Sequence, residues 1–256
     1  MTSSDLHAFA DIGVRRREEA PCSRALSPSR LPGLDFALNP YRGCSHGCLY
    51  CYAPALLHVP VDGWTAALPK RGLLRLLEKE AASVKGVVGV GTSTDPYQPL
   101  EAEAELTRGC LRILNDASLG CCVHTKSDLV LRDVDLLEKA EVGITVTNLS
   151  DTFSSTLEPG APLPQRRLDA VKGLCEAGVD VFVMVGPLLS PVEGREGELA
   201  AAIAASGASM VMVDTLNKRT DHAPLRAVGV TAAAASCAIR FKEAASSLGL
   251  LVRDAF

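Results

Sequence analysis

The sequence predicts an α/β fold on a parallel sheet, and three observations predict it. Short apolar runs rich in Val, Ile and Thr alternate with segments of helical period, six of each in succession. The runs are continuously apolar, as strands buried on both faces are. Polar clusters follow the runs rather than interrupt them. Parallel strands with right-handed crossovers leave two architectures, an open doubly wound sheet or a partial barrel.

Taken in order, the extended candidates are "DFALN", "GVVGVGTS" (86–93), "CCVHTKS" (121–127), "VGITVTN" (142–148), "VDVFVMVGPLL" (179–189) and "SMVMVDTLN" (209–217). Between them lie "RGLLRLLEKEAASV", "LTRGCLRILNDAS", "RDVDLLEKA", "PQRRLDAVKGLCEAG", "GELAAAIAASG" and "TAAAASCAIRFKEAASSLG" as helices. In the fourth, Leu168, Val171, Leu174 and Ala177 share a face, and Gly178 stands where a helix stop is expected.

With 256 residues, 47% of them hydrophobic, the chain can bury a large core in one barrel or two small domains. Residues 1–33 are polar and aperiodic and read as a loosely structured N-terminal arm, which leaves 34–256 as the core domain with a C-terminal helix. A net charge of −4 supplies no global basic field for nucleic acid. No run of eighteen apolar residues exists, and the first thirty residues lack the apolar stretch of a signal peptide. A cytoplasmic protein with no membrane partner is therefore expected. Nine cysteines, an odd number in a chain this long, point to reduced thiols or metal ligation over a disulfide framework.

In both architectures ligands collect at the carboxyl ends of the strands, in the loops that follow. Cys44 to Cys51 follow the first strand, "TSTDPYQP" the second, "TKSD" the third and "TNLSD" the fourth. Four consecutive loops thus bring polar groups to one rim, the expected active site.

The stretch "NPYRGCSHGCLYCYAP", residues 39–54, spaces Cys44, Cys48 and Cys51 as C-x3-C-x2-C. A structural zinc site wants four closed ligands, usually in two pairs, and no second Cys-x-x-Cys or His-x-His pair stands nearby. His46 is a candidate fourth ligand, or a hydrogen-bonding or solvent-facing residue of the loop. Core thiols fit poorly, because a Gly-rich loop offers little apolar surface. Thiolates also hold iron–sulfur clusters, and a four-iron cubane given three cysteines keeps one iron open to chelate a cofactor. Cys22, Cys110, Cys121, Cys122, Cys175 and Cys237 repeat no ligand spacing and read as core.

The other loops carry weaker signals. Ser93, Thr94 and Asp95 precede Pro96, which keeps a helix from starting there, and turn chemistry alone would account for a Thr and an Asp at this place. Lys126 ends a strand, as a solvated charge or as a point charge on the rim. Thr145 and Thr147 alternate and so share one side of the fourth strand, as ligand-binding hydroxyls or through β-propensity. Tyr50 and Tyr52 flank Cys51, where packing is the plain role.

Together, "NPYRGCSHGCLYCYA", "TSTDPYQPLE" with "LTR", "TKSDLVLRDVDLL" and "LEPGAPLPQRRLDAV" carry a resemblance over residues 35–217. The chain resembles the radical SAM superfamily, in the branch related to spore photoproduct lyase. That resemblance implies a partial (β/α)6 TIM-like barrel, a [4Fe–4S] cluster on Cys44, Cys48 and Cys51, and S-adenosylmethionine on the open iron. It further implies an enzyme that reductively cleaves this cofactor to a 5′-deoxyadenosyl radical, which abstracts hydrogen from an unidentified substrate. An external electron donor of flavodoxin or ferredoxin type belongs to the same expectation. A barrel suits the chemistry because it encloses the radical.

On the same footing, the segment of Ser93, Thr94 and Asp95 faces the cofactor's ammonium, with Asp95 supplying acceptors, and Lys126 meets its carboxylate. Thr145 stands near a family serine that helps hold that carboxylate, and Thr147 is grouped with it. Tyr50 and Tyr52 become candidate catalytic residues for hydrogen-atom relay. Arg167 matches a family arginine, in helical first turns where arginines are commonly solvated.

One departure narrows the expectation. The lyase has a hydrogen-donor cysteine beside the Ser-Asp of its second loop, and "GVGTSTDPYQ" has none. The basic "VRRR" at 14–17 is offset by Glu18 and Glu19, and 4% aromatic content offers few stacking platforms for DNA. A photolesion-repair lyase and, from another class, a noncatalytic zinc or iron–sulfur scaffold are the competing readings.

Overall fold

A computed structural model describes residues 18–217 and 222–255. One sheet runs in the order β1 (Ser27–Pro28), β2 (Phe36–Leu38), β3 (Val87–Val90), β4 (Gly120–Thr125), β5 (Ala140–Thr145), β6 (Asp180–Val185), β7 (Met210–Val213) and β8 (Leu251–Asp254). Every pairing from β2 to β8 is parallel, and β1 lies antiparallel on the β2 edge. Spatial order therefore follows chain order with no reversal. A doubly wound sheet must reverse at a switch point, so the winding is that of a barrel, left open between β1 and β8.

Five main helices, α1 (Leu73–Ala81), α2 (Leu106–Asp116), α3 (Pro164–Glu176), α4 (Glu196–Ala205) and α5 (Ala235–Ser247), fall within the expected segments, α4 starting one residue early. The segment "RDVDLLEKA" differs: a 3-10 helix over Asp128–Leu136 takes its place, broken where Asp133 adopts non-helical angles. The carboxylate of Asp133 is buried among Arg108, Arg132 and Tyr97, and these bonds hold it where a regular helix would not. Ala177 is exposed just past the end of α3, whereas Leu168, Val171 and Leu174 are buried; Gly178 makes the stop at φ +80°.

Side chains on the strands alternate between two cores. Val123, Val183, Val185, Val211 and Val213 face the helices in the large core. Cys122, Phe182, Met184, Met210 and Met212 face the lumen instead. Gly143 makes room there, since a Cβ on it would lie 2.3 Å from the ring of Phe182.

The two ends correct the expectation. Where a loose arm was expected over 1–33, residues 18–33 are fastened: Ala25 and Leu26 are buried, and their amides donate to the Glu80 carboxylate at 3.1 and 2.8 Å. These ties run from backbone to a carboxylate and leave no periodicity to read. Residues 1–17 lie outside the described residues. At the other end β8 follows the expected C-terminal helix and adds a seventh parallel strand, short and mostly exposed. Among the described residues no helix is long and apolar enough to cross a membrane.

Candidate active site

The cysteine loop leaves β2 and is fastened from two sides. Asn39, the first residue after the strand, accepts from the amides of Ser93 at 2.8 Å and Thr94 at 3.2 Å, and its own amide donates to Thr92 Oγ1. Gln98 is fully buried; its Oε1 accepts from Ser45 N at 2.8 Å and its Nε2 donates to the Gly43 carbonyl. On the far side the Gly160 amide donates to the His46 carbonyl at 2.9 Å, and a Cβ on Gly160 would sit 2.0 Å from the Ser45 carbonyl oxygen. Only glycine fits that approach.

Cys44, Cys48 and Cys51 are free thiols, half-buried, and line one cavity of about 420 Å³. The volume falls within the roughly 300–1,000 Å³ of small-molecule sites. Among the described residues no three Cys, His, Asp or Glu side chains converge on a point that would hold a single metal ion. A tetrahedral zinc needs that convergence, whereas cysteines of a cubane each reach a different iron and stand further apart. Burial pushes the Cys44 thiol up to about 11 and raises Cys48 and Cys51 as well, so ionisation here requires positive charge close by. N–H groups of Asp95 and His46 face the Cys44 sulfur, and the Ala53 amide and Trp64 indole face Cys51, which favours thiolates. The residues present thus fit an iron–sulfur cluster.

His46 is not solvent-facing: it is 1% exposed and borders the cavity, with Nδ1 at 3.3 Å from Asp95 Oδ2 but out of hydrogen-bond alignment.

Ser93 and Thr94 line the cavity as expected; the Thr94 hydroxyl donates to the Tyr41 carbonyl, and Ser93 keeps its own toward the space. Asp95 also borders the cavity, and three hydrogen bonds tie its carboxylate to the protein. Oδ1 takes the Thr125 hydroxyl at 2.6 Å and the Tyr97 amide at 2.9 Å, and Oδ2 takes the Lys126 amide at 2.8 Å and faces His46. A carboxylate has about four such sites, so Asp95 shapes the rim with most of its acceptor capacity already used. Burial alone would raise its pKa, yet His46, Thr125 and the Lys126 amide outweigh burial and hold it at about 2.

Lys126 reaches the cavity with its Nζ 5.7 Å from the Tyr50 ring centre and 3.9 Å from Glu158 Oε1. Burial would lower its pKa, but Cys48 and Glu158 outweigh that and raise it, so the ammonium stays charged. Thr145, the last residue of β5, lines the cavity; Thr147 does not. The strand has ended before Thr147, and its hydroxyl turns instead to Glu158 Oε1 at 3.4 Å. The two tyrosines also part company. Both border the cavity, but Tyr50 is buried and donates its hydroxyl to Glu158, whereas the Tyr52 phenol makes no hydrogen bond to another described residue.

Arg167 is 1% exposed, the opposite of a solvated helix residue. Its guanidinium meets Glu158 Oε2 at 2.5 Å and donates to the carbonyls of Pro162 and Thr145. Glu158, Asn39 and Gln98 all stand inside the quoted motifs, yet only their positions in space show what they hold. Among the cavity residues that sequence reasoning did not assign to the site are His124 and Asp214. Burial lowers His124 to about 4 and raises Asp214, and a polar residue at the inward positions of β4 or just after β7 was the available signal. The remaining cysteines are core: four are buried, and Cys22 and Cys175 pack partly against it.

Comparison with known proteins agrees with this geometry. The sequence signature of the Radical SAM superfamily covers residues 38–201. An uncharacterized protein of Methanocaldococcus jannaschii is 33% identical over 171 residues, 65% of this chain and 65% of its own length. An uncharacterized protein of Mycobacterium tuberculosis is 32% identical over 202 residues, 72% of this chain and 59% of its own length. The chain therefore spans less than two thirds of either relative. Spore photoproduct lyase complexed with dinucleoside spore photoproduct shares the fold with a TM-score of 0.63 at 15% identity, over 89% of this chain and 78% of that one. Streptococcus suis SuiB bound to S-adenosylmethionine gives 0.59 at 12% identity, over 86% and 49%. With its signature spanning most of the sheet and the cysteine loop at its start, the chain belongs to the Radical SAM superfamily.

Proposed function

We propose that the chain is a radical SAM enzyme that holds a [4Fe–4S] cluster on Cys44, Cys48 and Cys51 and binds S-adenosylmethionine beside it. The observation that carries this is the single cavity bounded by these three thiols on one side and by Ser93, Thr94, Lys126 and Thr145 on the other. When bound, the cluster and cofactor supply reductive cleavage to a 5′-deoxyadenosyl radical, which abstracts hydrogen from a substrate of unidentified class. Lys126 offers a fixed point charge to a carboxylate, and the hydroxyls of Ser93 and Thr145 orient the same end of the ligand. Because most of its acceptor capacity is used within the protein, Asp95 chiefly holds the loop, and Ser93 and the loop carbonyls add acceptors for an ammonium. Tyr52 is the phenol free to face the reaction, and Tyr50 serves as support. An external electron donor of flavodoxin or ferredoxin type and a cytoplasmic setting fit nine unpaired thiols.

Lesion repair is the weaker reading. Among the described residues, the cysteines that line the cavity are the three ligand candidates, and none occupies the second loop as a hydrogen donor. Anaerobic reconstitution tests the proposal. The protein should take up about four irons and release 5′-deoxyadenosine with dithionite. Iron uptake without deoxyadenosine would sink the radical reading.

A further inference from the structure

We propose that Glu158 is a positioning residue whose one carboxylate holds two cations, Lys126 and Arg167, beside Cys48 and so sets the charge that the cluster experiences. The inference rests on the radical SAM reading of the site.

Four parts of the chain meet at this carboxylate. Oε1 receives the Tyr50 hydroxyl from the cysteine loop, faces Lys126 Nζ at 3.9 Å after β4, and lies 3.4 Å from the Thr147 hydroxyl after β5. Oε2 meets Arg167 of α3 at 2.5 Å. Glu158 is 1% exposed, Arg167 also donates to the Pro162 and Thr145 carbonyls at 2.7 and 3.2 Å, and neither side chain lines the cavity. Lys126 and the Tyr50 ring under it do reach it.

The site is uneven in charge. Two cations share one buried carboxylate, which leaves one positive charge in excess within this trio beside Cys48; the other nearby carboxylate, Asp95, faces Cys44 and acts on Lys126 less than Glu158 does. Two buried cations cannot stand this close without an anion between them, because each carries a desolvation cost and they repel. Glu158 therefore makes the positive excess of this trio tenable. An iron–sulfur cluster with thiolate ligands is anionic, and local charge and hydrogen bonding set its potential. The quartet of Tyr50, Lys126, Glu158 and Arg167 is thus placed to tune the cluster without touching it.

The test separates charge from shape. Wild type, Glu158→Gln, Arg167→Gln and Arg167→Lys are reconstituted anaerobically, iron is counted, and the cluster is titrated spectroelectrochemically. Glu158→Gln adds a positive charge and should raise the midpoint potential; Arg167→Gln removes one and should lower it; Arg167→Lys keeps the charge and should stay near wild type. Shifts of the same sign in the two Gln variants, or no shift in either, overturn the proposal. Should a Gln variant fail to take up iron, the charge-preserving Glu158→Asp or Arg167→Lys must restore uptake, and failure to restore it also overturns the proposal. A wild type that binds no iron would overturn the reading of the whole site, whereas a loaded wild type with unmoved variants overturns this inference alone.

Discussion

Two buried ionic networks flank the cysteine loop, and their difference separates support from function. Beneath the second loop, Glu101 and Asp133 face Arg132 at 2.7 and 2.8 Å, Arg108 at 2.9 Å from Asp133, and the hydroxyls of Tyr41 and Tyr97. Arg108 also reaches Asp135 at 2.7 Å, so three carboxylates meet two guanidiniums there, negative charge is in excess, and none of these side chains lines the cavity. Around Glu158 two cations meet one carboxylate, and Lys126 of that set does line the cavity. Both networks draw on residues of the motifs that resemble the family. The first network is closed off from the cavity, whereas the second presents a cation to it. Motif membership therefore does not distinguish a candidate ligand contact from a scaffold residue; access to the cavity and the sign of the excess charge do.

Perturbations of each side should break or sharpen this contrast. The largest effect is expected at the thiols: replacing Cys44, Cys48 or Cys51 by Ala should abolish cluster uptake and deoxyadenosine release, measured by iron assay and chromatography. Next comes Glu101→Ala, which strands buried donors and should cost about 3–5 kcal/mol in urea unfolding, with cofactor affinity of the remaining folded protein unchanged. Lys126→Met should do the reverse. Loss of one charged hydrogen bond, about 1.5–3 kcal/mol, predicts roughly 10–100-fold weaker S-adenosylmethionine binding by equilibrium dialysis, with little change in unfolding.

Asp95 sharpens the contrast through pH. Its folded pKa is depressed from 3.8 to about 2, so the stability it contributes is present above 3.8 and lost as pH falls toward 2. A depression of this size corresponds to about 2.5 kcal/mol at neutral pH. Between pH 5 and pH 2 the metal-free wild type should lose about 2 kcal/mol more than Asp95→Asn in urea titrations. If both lose stability in parallel, the carboxylate is not the knot described. The smallest effect is expected at Tyr52→Phe, within about 0.5 kcal/mol of wild type in stability, whereas Tyr50→Phe should cost about 1–3 kcal/mol by removing a donor from Glu158.

Much of the fold was legible in the sequence because each of the six strands carries a continuous apolar run and each helix its own period. Those signals are local. The 3-10 helix at Asp128–Leu136 was not legible, because its shape follows from where Asp133 finds Arg108 and Arg132. Residues 18–33 and β8 were missed for a related reason: they are held by pairing with distant backbone and by Glu80, and their own composition is polar and short.

For the site, the sequence by itself determined the three cysteines and the rim on which they stand, since ligand spacing and the carboxyl ends of parallel strands are properties of the chain order. Tertiary structure alone decided what the polar residues do there. It tied Asp95 to the neighbouring loop, turned Thr147 to Glu158, gave a partner to the Tyr50 hydroxyl, and buried Arg167 against Glu158. Hydrogen-bond capacity is finite, and which partner uses it up depends on residues brought together across 22 to 108 positions of chain, a relation that no local pattern encodes.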